Sequence, residues 1–122
     1  MRRDFHNHTL LLEKTMALTI DVVQGDLHVT LILKGDVDTK TAPELLSQLT
    51  ALELHTLEQL RLHLHEVDFV SSAGLRAIVF AKQKMPHSSL LYLVGASSQI
   101  VETITKTGLS QAVEIVTSVE EI

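Results

Sequence analysis

The chain has 122 residues, of which 45% are hydrophobic and 20% are charged, a composition typical of one globular domain and not of a disordered chain. A net charge of -5 and an aromatic content of 3% argue against direct nucleic-acid binding, because the chain offers little positive charge or stacking surface. The absence of cysteine excludes disulfide scaffolds, thiol nucleophiles and cysteine-ligated zinc.

The N-terminal segment differs from the rest of the chain. Residues 1–15 show no hydrophobic period, and Met16 precedes the first patterned segment. We therefore predict a flexible extension over residues 1–15 and one domain over residues 16–122. No apolar run reaches the roughly 20 residues that cross a bilayer, and the short apolar stretch at 10–12 does not fit a signal peptide. We expect a cytoplasmic protein without membrane insertion.

The first half of the domain contains a hairpin, a helix and a strand. Residues 18–24 and 27–34 are rich in Val, Ile, Leu and Thr on both sides of a Gly-Asp turn, which predicts a β-hairpin. Thr41 and Glu44 have the spacing of a capping box, and leucines at helical spacing follow them. Over residues 59–65 leucine alternates with Arg or His, which predicts a strand with one covered face.

The second half continues the alternation of helices and strands. Its predicted elements are a helix from Ser71 to about Met85, a strand over 90–94, a helix between Ser97 and Gly108, a strand over 113–116 and a last helical turn over 117–120. Because each helix connects two strands, right-handed crossovers should make much of the sheet parallel. We predict an α/β fold, with a mixed sheet of four to five strands, helices mainly on one face and residues 59–65 away from the sheet edge.

Two pairs of side chains are candidates for chemistry. His63 and His65 could share a metal ion, but no third ligand has a clear spacing, so we interpret both as residues of a solvated sheet face and predict no metal and no cofactor. Asp36 and Asp38 could form a catalytic carboxylate pair, a cation site or a helix-start motif. They could also be part of a protein-binding rim, since they lie at the same strand end as the two serines at 71–72. No nucleophile or base has a recognisable spacing from them, and we predict that the protein is not an enzyme.

Residues 71–75, Ser-Ser-Ala-Gly-Leu, join a strand to a helix start. Serine is a good N-cap, and Ala-Gly allows close packing, so a purely structural role accounts for the segment. A nucleophile elbow would need a glycine two positions before the serine, and a P-loop would need a lysine and spaced glycines. Neither pattern is present.

Two motifs resemble one known family. Residues 68–76, Asp-Phe-Val-Ser-Ser-Ala-Gly-Leu-Arg, look like the signature of STAS domains, the anti-sigma factor antagonist family. Residues 31–38, Leu-Ile-Leu-Lys-Gly-Asp-Val-Asp, followed by Thr-Ala-Pro-Glu at 41–44, are similar to the family's Gly-Glu-Leu-Asp…Ala block. The separation of the motifs and the order of elements also match over about residues 17–122.

The resemblance implies a regulatory binding protein and a STAS-like sheet. In the family, the unphosphorylated protein binds an anti-sigma factor that is also a serine kinase. Phosphorylation of a serine breaks that complex, and a serine phosphatase restores it. We expect a monomer or weak dimer. An alternative function is that of an accessory STAS subunit of a lipid ABC transporter.

The resemblance also places candidate site residues. The common family motif is Asp-Ser-Ser-Gly-Leu or Asp-Ser-Thr-Gly-Leu, and its phosphorylated residue directly precedes the glycine. Here Ala73 occupies that position, so either Ser72 is the phosphoacceptor, with Ser71 as second choice, or the protein binds its partner without being switched. The expected partner-binding residues are Asp36, Asp38, Ser71, Ser72 and Arg76, with Lys82 further along the same helix.

Overall fold

The fold is described by a computed structural model over residues 18–122. The strands are β1 (Thr19–Gln24), β2 (His28–Lys34), β3 (Gln59–Glu66), β4 (Leu90–Val94) and β5 (Glu114–Val116). The helices are α1 (Ala42–Thr50), α2 (Ser72–Lys84) and α3 (Ser98–Lys106), with short 3-10 turns at Leu54–Thr56, Leu109–Gln111 and Val119–Glu121. The predicted extension over residues 1–15 lies outside the described residues.

The five strands form one mixed sheet in the order β1-β2-β3-β4-β5. The β1–β2 hairpin is antiparallel, and the other three pairs of strands are parallel. Each of the three helices connects a strand to its immediate neighbour, always in the same direction across the sheet. Because such connections are right-handed, all three helices lie on the same face of the sheet. The predicted fold is therefore confirmed, with β3 at the centre of the sheet.

The core lies between that face and the helices. Buried apolar side chains recur at every second position along β2 and β3, because successive residues of a strand point to opposite faces. In β4 the residues Leu91 and Leu93 follow the same alternation, and Val94 at the end of the strand is buried as well. The same core cluster includes apolar residues from each of the helices. Among its fully buried members are Leu31, Leu33, Leu45, Leu49, Leu60, Leu62, Ile78, Leu91, Leu93 and Ile104.

The opposite face of the sheet carries His63 and His65, whose ring centroids are 5.8 Å apart. His65 is exposed, as predicted for a solvated face. His63 differs from the prediction, because it is half-buried and its Nε2 is enclosed without a hydrogen-bond partner among the described residues. Within residues 18–122 no group of three or more metal-ligating side chains comes together. No helix in that range is long and apolar enough to span a membrane.

Candidate functional site

Two loops meet where β2 and β3 end, and this junction forms the candidate site. Val37 in the first loop and Val70 in the second form an isolated parallel β-bridge. Val37 donates its N–H to Phe69 O at 2.9 Å, and Val37 O accepts the Ser71 N–H at 2.7 Å. Both valines are buried. The bridge therefore fixes residues 36–38 beside residues 69–72, as the sequence analysis expected for the partner-binding rim.

Asp38 organises the start of α1. Its Oδ1 accepts the backbone N–H groups of Lys40 and Thr41, each at 2.9 Å. The pKa of Asp38 lies below its ordinary value, chiefly because the Thr41 N–H stabilises the carboxylate, and burial opposes that effect only in part. Of the four interpretations of Asp38, helix-start chemistry is the one that these contacts match.

The predicted capping box at Thr41 is wrong. The Thr41 side chain accepts no hydrogen bond from a helical N–H. Its Oγ1 accepts the Asp38 N–H at 2.9 Å and donates to Asp36 O at 2.8 Å. The chain already turns before α1 begins, and the hydroxyl of Thr41 is used to close that turn. Asp36 contributes its backbone carbonyl to this turn, and its side chain is exposed.

Ser71 is the N-cap of α2. Its backbone is extended, and its Oγ accepts the Gly74 N–H at 3.2 Å. The structural interpretation of this serine is thus confirmed, and Ser71 performs a task to which aspartate is equally suited. Gly74 is needed for the close packing of α2 on the bridge. A Cβ at this position would lie 2.7 Å from Val37 Cγ1 and 2.9 Å from Val70 Cγ1.

Ser72 and Ala73 face different sides of the helix start. Ser72 is exposed, and its hydroxyl has no hydrogen bond within the described part of the chain. It lines a groove of about 430 Å³ between α2 and the end of α3, which we call the α2–α3 groove. Ala73 is half-buried and lines a groove of about 300 Å³ between α1 and α2, which we call the α1–α2 groove. The sequence does not reveal this divergence.

Arg76 lies between the two grooves, and its exposed side chain lines both of them. Lys82, the other cation expected at the partner surface, is not at the site. Its Nζ donates to Ser89 O at 2.8 Å, near the start of β4. Ten helical residues separate Lys82 from Ser72, which corresponds to about 15 Å along the axis. Lys82 therefore connects the C-terminal end of α2 to the loop before β4.

Sequence reasoning missed two apolar features of the site. Phe69 is 51% exposed, although it directly precedes the buried bridge residue Val70 and its carbonyl accepts the Val37 N–H. The α1–α2 groove is lined by apolar side chains that belong to two helices, among them Leu46 and Phe80. The sequence places Leu46 among the regularly spaced leucines of α1. It does not reveal that α2 packs beside α1 and so forms the second wall of the groove. Exposed aromatic and apolar surface of this kind is typical of protein-binding sites.

A family model and a relative from Listeria match most of this chain. The sequence model of the STAS domain family matches residues 19–122. The anti-sigma-B factor antagonist of Listeria monocytogenes serovar 1/2a is 31% identical over 102 residues, which cover 82% of this chain and 90% of the relative.

Solved structures share the fold at lower sequence identity. An anti-sigma factor antagonist from Mycobacterium paratuberculosis superposes with a TM-score of 0.77 at 22% identity, covering 86% of this chain and 90% of that one. The Bacillus protein SpoIIAA in its phosphorylated form superposes with a TM-score of 0.65 at 12% identity, covering 84% of this chain and 95% of that one.

Proposed function

Because the chain belongs to the STAS domain family, we propose that it is an anti-sigma factor antagonist that acts by partner switching. It binds an anti-sigma factor that is also a serine kinase, and phosphorylation of one serine ends the complex. A serine phosphatase then restores the binding form. In this proposal the chain is a binding protein and has no catalytic activity of its own.

The observation that carries the proposal is the junction made by the Val37–Val70 bridge. It assembles one surface from residues far apart in sequence, with the exposed side chains of Asp36, Phe69 and Ser72 on it. The apolar α1–α2 groove continues from this surface. Polar and charged groups around an apolar centre are the usual composition of a protein–protein interface.

We propose Ser72 as the phosphoacceptor. Its side chain is exposed and its hydroxyl makes no hydrogen bond within residues 18–122, whereas the Ser71 hydroxyl is used as the N-cap of α2. The kinase would transfer the terminal phosphoryl group of ATP: the bond from Ser72 Oγ to phosphorus forms, the bond to the departing diphosphate oxygen breaks, and a kinase base takes the hydroxyl proton. Ala73 has no group that can accept the phosphate.

Phosphorylation at this position would break an interface without disturbing the fold. A phosphate adds nearly two negative charges to a chain whose net charge is already -5. The start of a helix tolerates an anion, because its first N–H groups have no helical partners. Enclosing the same charge against a partner without a matching cation costs several kcal/mol, and each 1.4 kcal/mol changes the affinity about tenfold.

The proposal is tested by affinity capture from the source cells, with the wild-type chain and an Asp36→Lys variant as bait. We expect the wild type to retain an ATP-binding kinase that is also an anti-sigma factor, and Asp36→Lys to retain less of it. Asp36 is a better probe than Asp38, since reversing the charge of Asp38 would also remove the contacts that start α1. Capture of a membrane ATPase instead would favour the lipid ABC transporter alternative and contradict the proposal.

The phosphoacceptor is tested with the captured kinase and ATP. Phosphopeptide mapping should find the label on Ser72, and Ser72→Ala should bind the kinase but escape release. Ser71→Asp is the matched control, because it keeps a capping carboxylate while leaving Ser72 available. Label on Ser71 alone would contradict the assignment, and the absence of label on either serine would indicate a protein that binds without being switched.

A further inference from the structure

We propose that Arg76 is the internal counter-ion of a phosphate on Ser72, and that phosphorylation thereby withdraws Arg76 from the partner surface. The inference rests on the proposed function, because it takes Ser72 as the phosphoacceptor. The pairing would give the partner protein a second reason to dissociate, besides repulsion by the phosphate. The partner would lose its contact with the Arg76 cation at the same time as it meets the phosphate anion.

Ser72 and Arg76 are neighbours on one face of α2. They are four residues apart, which brings side chains of a helix to the same face at a Cβ separation of about 6 Å. Both line the α2–α3 groove, and both are exposed. Helical side chains lean toward the N-terminus of their helix, which brings the Arg76 side chain within reach of the turn that contains Ser72.

The Arg76 guanidinium is also available. Within residues 18–122 the ion pairs are Lys34–Glu66 and Lys106–Glu102, and no carboxylate there pairs with Arg76. Two other donors at the rim of the α2–α3 groove are already used. Thr107 Oγ1 donates to Ile104 O at 2.9 Å, and the Gly108 N–H donates to Thr105 O at 3.2 Å. Among residues 18–122, Arg76 is therefore the charged side chain at this groove that has no ion-pair partner.

The charges around Ser72 favour a counter-ion for the phosphate. The two joined loops contain Asp36, Asp38 and Asp68, and a phosphate on Ser72 would add to this negative surface. An anion that precedes a cation by four residues is the favourable orientation of such a pair on a helix. The positive end of the α2 dipole favours the anion as well. These effects all direct the phosphate toward Arg76.

The position of Arg76 couples the two grooves. The same side chain lines the α1–α2 groove together with Ala73, Phe80 and Leu46. A guanidinium that pairs with the phosphate in the α2–α3 groove cannot at the same time serve an acidic partner in the α1–α2 groove. Phosphorylation on one side of α2 thus changes the charge of the groove on the other side. A phosphate on Ser72, one position before the usual phosphoacceptor, would therefore still affect binding in the α1–α2 groove.

The experiment does not need the kinase. Phosphoserine is introduced at position 72 during translation, and the second ionisation of the phosphate is followed by 31P NMR in four full-length chains. These are the chain with Arg76, Arg76→Gln, Arg76→Lys, and Lys106→Gln as a control that removes an exposed cation paired with Glu102 on α3. We expect Arg76→Gln to move the titration midpoint upward by about half a pH unit, because the dianion loses its cation.

Lys106→Gln should leave the midpoint where it is, and Arg76→Lys should restore most of the difference, because it keeps the charge. Equal midpoints for Arg76 and Arg76→Gln, or an equal shift in Lys106→Gln, would overturn the proposal. Because the phosphate is present from translation, these results are independent of whether the chain is an anti-sigma factor antagonist. Failure of the proposed function would instead appear as the capture of no anti-sigma factor.

Discussion

The two neighbouring serines at the start of α2 have different roles, because only one of them makes the hydrogen bond that caps the helix. The Ser71 Oγ accepts the Gly74 N–H, whereas the Ser72 hydroxyl makes no hydrogen bond among the described residues. The cap and the candidate phosphoacceptor are therefore different residues. A chain of this design can lose or modify Ser72 and still keep its helix start.

We expect Ser71→Ala to lower the free energy of unfolding by about 1 kcal/mol, because the first turn of α2 loses its cap. Ser71→Asp should keep most of the stability, since a carboxylate accepts the same N–H and favours the helix dipole. Urea denaturation measures both variants, with Ser72→Ala as the control that should unfold like the wild type. A larger loss in Ser72→Ala than in Ser71→Ala would contradict this division of tasks.

His63 should make stability depend on pH. Burial lowers its pKa below the ordinary value of 6.5, and the positive charges of His65 and Arg61 lower it further. The unfolded chain then binds more protons than the folded one around pH 6.5 and below. The contribution of neutral His63 to the free energy of unfolding is fully present above pH 6.5. It is lost as the pH falls from 6.5 toward the lower pKa that His63 has in the folded chain.

We expect His63→Gln to reduce the slope of stability against pH between about pH 7 and pH 5. Thermal unfolding at a series of pH values measures this slope, and His87→Gln, an exposed substitution on a loop, is the control. If the two variants had the same slope, His63 would not be the group responsible.

Helix α2 is placed by tight contact with the Val37–Val70 bridge, and Gly74 makes that contact possible. The first turn of the helix approaches the bridge so closely that a methyl group at position 74 would overlap both valine side chains. The small residue is therefore required by packing, since the backbone of Gly74 is helical. The packing of this element also sets where Ser72 and Arg76 emerge.

We expect Gly74→Ala to destabilise the fold by roughly 1–2 kcal/mol. Overpacking costs about 1–3 kcal/mol, and the better helix propensity of alanine offsets up to about 1 kcal/mol of it. Val37→Ala alone should also destabilise, because it leaves a cavity beside the helix. The double variant should lose less than the sum of the two, since the new methyl group occupies that space. Full additivity in chemical denaturation would argue against the contact.

At the scale of the whole molecule, the sheet separates a packed face from a face without helices over residues 18–122. The apolar side chains of all three helices join the leucines of β2, β3 and β4 in one core. The candidate site lies at the carboxyl edge of this sheet, where loops of parallel strands meet. The core is continuous from residue 18 onward, and the first strand begins at Thr19.

Deletion of residues 1–15 should therefore leave the stability of the domain nearly unchanged, because β1 and the core that it joins stay intact. Differential scanning calorimetry of the full chain and of the shortened chain measures the difference. The expected change in melting temperature is no more than a few degrees. A loss of more than about 2 kcal/mol, which is large compared with ordinary domain stabilities, would mean that residues 1–15 pack on the fold.

The sequence by itself determined the element order, the covered face of β3 and the resemblance to the STAS signature. These features depend on local patterns, since alternation, helical spacing and caps involve residues that are close together in the chain. The serine cap at Ser71 was predictable for the same reason. The close approach of residues 36–38 to residues 71–72 was also expected, because parallel strands end at one edge of a sheet.

Only the tertiary structure decided which groups those neighbours contact. The predicted capping box does not form, because the Thr41 hydroxyl closes a turn with Asp36 and Asp38. Lys82 does not belong to the expected partner surface, because its Nζ donates to Ser89 O. The separation of Ser72 from Ala73 depends on where α1 and the end of α3 lie around α2. Contacts of this kind join residues that are distant along the chain, and no local pattern encodes the direction from which a distant element arrives.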